Sequence, residues 1–197
     1  MLDTTAKPSG IDPAYASQAA FRALMDCMAR PGERRTLDGV EAPAPFAPAT
    51  AALIKSLADY ETPLWLDPAF AADAGIAAWI RFHTAAPVTS QPHEAAFALI
   101  ADARALPDFA QFAQGNAEYP DRSTTILVQI DDFTGHPLTL RGPGVKTARD
   151  FAASPLPADF TARMAENRAL FPRGIDLVLV AGREIAALPR SVTIVER

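Results

Sequence analysis

Few residues in this chain have the types and spacing to do chemistry. Asp176 interrupts the β-branched run at 175–180, just after the breakers Phe171-Pro172-Arg173-Gly174. A carboxylate inside an apolar strand is costly unless it is paired or sits at the strand's mouth. It therefore reads either as a solvated acid at a strand start or as a site residue. Arg81 and His83 flank Phe82, and in an extended strand that alternation puts both on one face. With Thr84 they could receive an anionic group; the plainer alternative is the wet face of a sheet edge.

Other chemistries find little support. The histidines are His83, His93 and His136, with no Cys or His at metal-ligand spacing. The stretch Arg141-Gly142-Pro143-Gly144-Val145-Lys146-Thr147 is not a nucleotide-binding P-loop, which needs four residues between its glycines and Lys directly after the second. It reads as a tight turn. The single cysteine, Cys27, lies on the first helix beside its apolar stripe and reads as an inert, semi-buried thiol. Lysines number three (Lys7, Lys55 and Lys146); a pyridoxal-phosphate enzyme needs one as its Schiff base, and Lys146 is the one candidate, with no cofactor motif to support it.

The elements that must position these residues follow from hydrophobic period and breakers. Residues 1–12 are polar and breaker-rich and read as a flexible N-terminal arm, with a single α/β domain over 13–197. A helix begins at Pro13, with Ser17 as its cap and Phe21, Leu24, Met25 and Met28 as its buried stripe; Arg22 and Asp26 are spaced to pair. A short strand is expected within 33–37, a proline-rich loop over 42–48, a helix over 49–58 and a strand in 59–66. An Ala-rich helix over 71–80 then runs into the strand that carries Arg81 and His83. Further strands are expected at 95–100 and 123–130, with a short helix at 106–114. Residues 137–141 read as a return strand forming a hairpin with 123–130. A helix over 157–169, strands at 175–180 and before Arg190, and a last strand at 191–195 complete the chain. Interleaved helices and strands with late hairpins predict an α/β fold: a mixed sheet with helices on both faces.

Composition sets the outer bounds. The 197 residues are 49% hydrophobic and 21% charged, as in an ordinary globular domain, and eighteen prolines keep the elements short. A net charge of −5 gives no reason to expect nucleic acid or an anionic membrane. One cysteine, no signal-peptide pattern and no apolar run of membrane-spanning length lead us to expect a soluble cytoplasmic protein.

Six stretches, in order, resemble the PhnH family, a subunit of the bacterial carbon–phosphorus lyase system: QAAFRALMDCMARPG (18–32), TPLWL (62–66), RFHTAAP (81–87), LRGPGV (140–145), FPRGID (171–176) and LPR (188–190). The resemblance implies a fold similar to pyridoxal-phosphate-dependent transferases without the cofactor. It also implies a homodimer that joins the PhnG, PhnI and PhnJ subunits. That complex exchanges the adenine of MgATP for an alkylphosphonate, giving alpha-D-ribose 1-methylphosphonate 5-triphosphate, in organic phosphonate catabolism. Nucleosidase chemistry is attributed to PhnI and the radical iron–sulfur step to PhnJ. A cluster needs three or four cysteines, so that step does not belong to this chain. The resemblance implies a structural or accessory subunit, not catalytic alone. The alternative is a direct binder of phosphonate or nucleotide, with Arg81, His83, Arg141 and Arg190 gathered around the ligand and Asp176 nearby.

Overall fold

The structure, a computed structural model, describes residues 13–38 and 40–196; the arm expected at 1–12 lies outside the described residues. Its centre is a six-stranded mixed sheet. Strands β2 (Leu64–Leu66), β3 (Phe97–Ile100), β4 (Thr125–Gln129) and β7 (Asp176–Ala181) run parallel, β8 (Glu184–Leu188) is antiparallel to β7, and β1 (Arg35–Thr36) antiparallel to β8. The order is β1-β8-β7-β4-β3-β2. The sheet's inner strands are apolar on both sides, and their period of two splits them between two cores. Leu99, Leu127, Val178, Val180, Ile185 and Ala187 face one core. Ala98, Ile100, Ile126, Val128, Leu177, Leu179, Ala186 and Leu188 face the other.

The first core is covered by helices α1 (Pro13–Ala29), α2 (Pro48–Leu57), α3 (Pro68–Ala71) and α4 (Ala74–Thr84). On the second, α5 (Phe160–Ala169) shares the cover with a separate three-stranded sheet, β6 (Arg149–Phe151), β5 (Leu138–Arg141) and β9 (Thr193–Glu196), antiparallel throughout. The expected mixed α/β sheet is present; the second sheet is an addition to it.

Several local expectations change. Residues 81–83 are not a strand. Ile76, Trp79, Ile80 and His83 fall at i, i+3, i+4 and i+7, a helical stripe, and α4 runs through them. Asp73 caps its start, accepting from the backbone N–H groups of Gly75 and Ile76, and Ala85 ends it at φ 58°. Residues 137–141 do not form a hairpin with β4. Buried on both sides, β4 takes the central place beside β7, whereas β5 alternates Leu138 and Leu140 inward with Thr139 and Arg141 outward, the pattern of a one-faced antiparallel sheet. The helix expected at 106–114 is a single 3₁₀ turn, Phe109–Gln111.

In α1 the buried face is Ala20, Leu24 and Cys27, while Phe21 and Met25 are exposed. Ser17 is inside the helix, where its carbonyl accepts from the Ser56 hydroxyl, and Asp26 pairs with Arg30, not Arg22.

Candidate functional site

Asp176 and Arg190 meet at the corner where β7 begins and β8 has just ended. The Arg190 backbone N–H donates to Asp176 Oδ1 at 2.9 Å, Nε donates to the same oxygen at 3.1 Å, and Nη2 donates to Oδ2. The remaining donors reach the Pro120 carbonyl at 2.7 Å, the Pro172 carbonyl at 3.5 Å and the Ser123 hydroxyl. A guanidinium has five N–H groups, and every one here has a partner. Both side chains are nearly buried, at 13% and 14% exposure. The pair therefore ties the starts of β4 and β7 and the loops before them into one corner. It leaves Arg190 no donor for a ligand.

The neighbouring sequence stretches act in the same way. Asn167, buried on α5, holds both backbone groups of Ile175: Oδ1 accepts its N–H at 2.8 Å and Nδ2 donates to its carbonyl at 3.0 Å. The LRGPGV stretch is the tight turn expected of it, closed by the Val145 N–H on the Gly142 carbonyl at 3.1 Å. It packs on the end of α1: a Cβ at Gly144 would lie 2.1 Å from the Ala29 carbonyl oxygen. Arg149 of β6, the strand paired with β5, also holds the chain after α1, donating to the Arg30 and Pro31 carbonyls and to Glu33.

Arg81 and His83 belong to a different place. Both stand on the last turn of α4, on the opposite side of the central sheet from β5, whose last residue is the exposed Arg141. Arg141 lies opposite Thr193, close in the chain to Arg190. The structure thus joins Asp176 to Arg190, sets Arg141 on a strand near them and keeps Arg81 and His83 apart from all three.

His83 belongs to a column of rings. Phe70, fully buried, meets Phe46 at 5.4 Å; Phe46 meets Trp79 at 5.5 Å; Trp79 meets His83 at 4.4 Å; and His83 meets the exposed Phe82 at 5.0 Å. Trp79 and His83 also line an open cleft of about 530 Å³ with Val40, Glu41, Ala42 and Pro43. Trp79 is fixed there by its indole N–H, which donates to the Glu41 carbonyl at 3.0 Å. Partial burial, and then the charge of Lys55, push the His83 imidazole below its usual pKa, so it stays neutral more readily than a free histidine.

In open α/β sheets ligands bind beyond the carboxyl ends of the parallel strands, the edge opposite to Asp176. There the structure places three acids that the sequence reading passed over: Asp67 after β2, Asp102 after β3 and Asp131 after β4. The signal was visible, since each follows an apolar run. Their carboxylates are already engaged. Asp67 is buried and accepts from the N–H groups of Phe70 and Ala101. Asp102 and Asp131 share Arg104 at 2.9 and 3.1 Å. The Arg104 backbone N–H, ahead of its guanidinium, holds Asp102 below the usual carboxylate range. Among the described residues no cluster of His, Cys, Asp or Glu is arranged to hold a metal ion. Cys27, pushed up to about 11 by burial, is a poor nucleophile.

The arrangement, then, is rich in structural locks and presents one exposed aromatic column. Comparison with known proteins shows the family. A family model described as bacterial phosphonate metabolism protein (PhnH) matches residues 8–195. The chain is 46% identical over 182 residues to the alpha-D-ribose 1-methylphosphonate 5-triphosphate synthase subunit PhnH of Rhizobium meliloti (strain 1021), covering 91% of this chain and 90% of that protein. It is 31% identical over 179 residues to HtxG of Stutzerimonas stutzeri, whose description as a C-P lyase subunit protein is itself provisional; the match covers 90% of this chain and 85% of that one.

Proposed function

This chain belongs to the PhnH family of bacterial phosphonate metabolism proteins, and from that premise we propose that it is an accessory subunit of a carbon–phosphorus lyase core complex. In this reading it is needed, with PhnG, PhnI and PhnJ partners, for the exchange of the adenine of MgATP for an alkylphosphonate, and it shapes the assembly while its partners do the chemistry. The observation that carries the reading is the state of the Asp176–Arg190 corner. The acid and the cation best placed by sequence for a site are spent on each other and on three loop groups.

The same proposal includes a homodimer, a cytoplasmic location, MgATP held elsewhere in the complex and no pyridoxal phosphate on this chain. No helix among the described residues is long and apolar enough to cross a membrane, in keeping with the location. The mostly parallel sheet closed by antiparallel strands supports kinship with the pyridoxal-phosphate-dependent transferase fold.

A second reading, direct binding of a phosphonate or nucleotide, rests on His83. Neither of its ring nitrogens has a hydrogen-bond partner among the described residues, and Lys55 and Arg81 stand near it. Arg141 would have to act from the other side of the sheet, and Asp176 and Arg190 would contribute by holding the corner.

One set of measurements separates the two. The chain is co-expressed with PhnG, PhnI and PhnJ, and phosphonate-dependent release of adenine from MgATP is followed with and without it. An accessory subunit co-purifies with the others, its omission lowers turnover, and the isolated chain gives no calorimetric heat with ATP or methylphosphonate. Failure to co-purify rejects the proposal; heat of binding to the isolated chain moves the choice to the second reading.

A further inference from the structure

Helix α4 is apolar on the side it turns to the sheet and on the side it turns to solvent. Ile76 and Ile80 are buried, while Ala74, Ala78 and Phe82, at i, i+4 and i+8, are exposed, Phe82 at 83%. Arg81 is the only charged side chain among its eleven residues apart from the titratable His83. A helix covered on one face only carries polar residues on the other. Helix α5 does so, exposing Glu166 and holding Arg163 and Arg168 on its polar side. The composition of α4 is that of a helix with something packed on both faces.

Two further observations say what the second cover is. The exposed Phe82 ring is the tip of the column that runs through His83, Trp79 and Phe46 to the fully buried Phe70. The Phe82 ring, 83% exposed, meets the column through its chain neighbour His83 and projects beyond it as an apolar group of the kind that fills a partner's pocket. The second observation is charge. Arg81 and Lys55 have no ion-pair partner among the described residues, although the chain as a whole is acidic. Glu41 is the one acid that lines the adjoining cleft, and α4 has none. On a two-fold contact centred on this helix, the carboxylate at α4 that could meet the copy's Arg81 is that of the cap Asp73, already committed to the Gly75 and Ile76 N–H groups.

We propose that the outer face of α4, with Phe82 as its anchor and the Trp79–His83 cleft beside it, is where this chain docks onto a different subunit of its complex, one that offers an apolar pocket for Phe82 and a carboxylate for Arg81. The inference rests on the subunit reading above and adds the surface and the chemistry of the partner.

The test uses the co-expressed complex with PhnG, PhnI and PhnJ. Phe82→Ser, Phe82→Glu, Ala78→Arg and Arg81→Glu are compared with wild type and with Val195→Glu, a change at another exposed apolar residue, on the second sheet. Each variant's thermal melt and self-association by sedimentation are recorded beside its yield in the complex. The Phe82 and Ala78 variants are expected to melt as wild type and to enter the complex about tenfold less well, Arg81→Glu severalfold less, and Val195→Glu unchanged. Phe82→Ser covers the case in which a bulkier change disturbs folding. Variants that fold and assemble as wild type overturn the inference while leaving the subunit reading intact. Variants that dissociate a homodimer but still join the complex assign the face to a second copy and overturn it too. A wild-type chain that fails to assemble removes the subunit reading, and the inference with it.

Discussion

Asp176 is a charge in a strand that would otherwise be apolar, and Arg190 answers it. Removing one member of a largely buried ion pair leaves the other desolvated and unpaired, at a cost of about 3 kcal/mol. Asp176→Asn is therefore expected to lower the unfolding free energy by that order, and the urea midpoint by that loss divided by the slope of the urea dependence. Arg190→Lys should fall short in the same way, because a lysine cannot serve the Pro120, Ser123 and Asp176 partners with one planar fork. The check is chemical denaturation of both variants. Wild-type stability in either one, combined with loss of phosphonate-dependent turnover in the complex, would mean that the pair acts on a ligand and not on the fold. The sequence exposed Asp176 as an anomaly because burial cost is a property of one residue in its strand. It could not name Arg190's three other acceptors, at Pro120, Ser123 and Pro172, on loops that only the fold brings to this corner.

At the scale of elements, two glycine-containing stretches, LRGPGV and ARPG, act together. Each is a turn, and the two turns are pressed together. Gly144 sits at φ +79° with the Ala29 carbonyl where a side chain would begin, whereas Gly182, in the β7–β8 turn at φ +58°, has open space around it. The same substitution therefore separates backbone strain from close approach. Gly182→Ala is expected to cost about 1 kcal/mol, the left-handed penalty alone. Gly144→Ala is expected to cost at least about 2 kcal/mol more, because backbone must move to admit the methyl group. Thermal melts of the two variants measure the difference; equal losses would show that the turn does not depend on its contact with α1. At this scale most elements were legible, because helix and strand periods are local. The exceptions have local causes as well. Arg81-Phe82-His83 alternates over three residues, but the stripe Ile76, Trp79, Ile80, His83 is longer and belongs to a helix that Asp73 caps. In α1, four apolar residues suggested one buried stripe, yet the core takes Ala20, Leu24 and Cys27 and leaves Phe21 and Met25 outside.

Across the whole molecule, the two sheets share one core. Leu140 of β5 is fully buried in the same cluster as Leu177 and Leu179 of β7 and Met164 of α5. The three-stranded sheet is therefore part of the main body and has no separate core to fold around. Leu140→Ala is expected to cost about 2–5 kcal/mol and to leave one cooperative transition, with far-ultraviolet circular dichroism and tryptophan fluorescence coincident. Two separated transitions would show the small sheet to be an independent unit. Read alone, the sequence determined the α/β class, the position of most helices and strands, and the family, since these follow from local period, breakers and the order of short stretches. Only the tertiary structure decided that β4 pairs with β7 and not β5, that Arg190 has no donor left, and that Phe82 stands out at the end of a column of rings. The physical reason is common to all three: a strand's partner, a guanidinium's acceptors and a side chain's exposure depend on segments far apart in the chain that compete for the same space, and no window of sequence contains that competition.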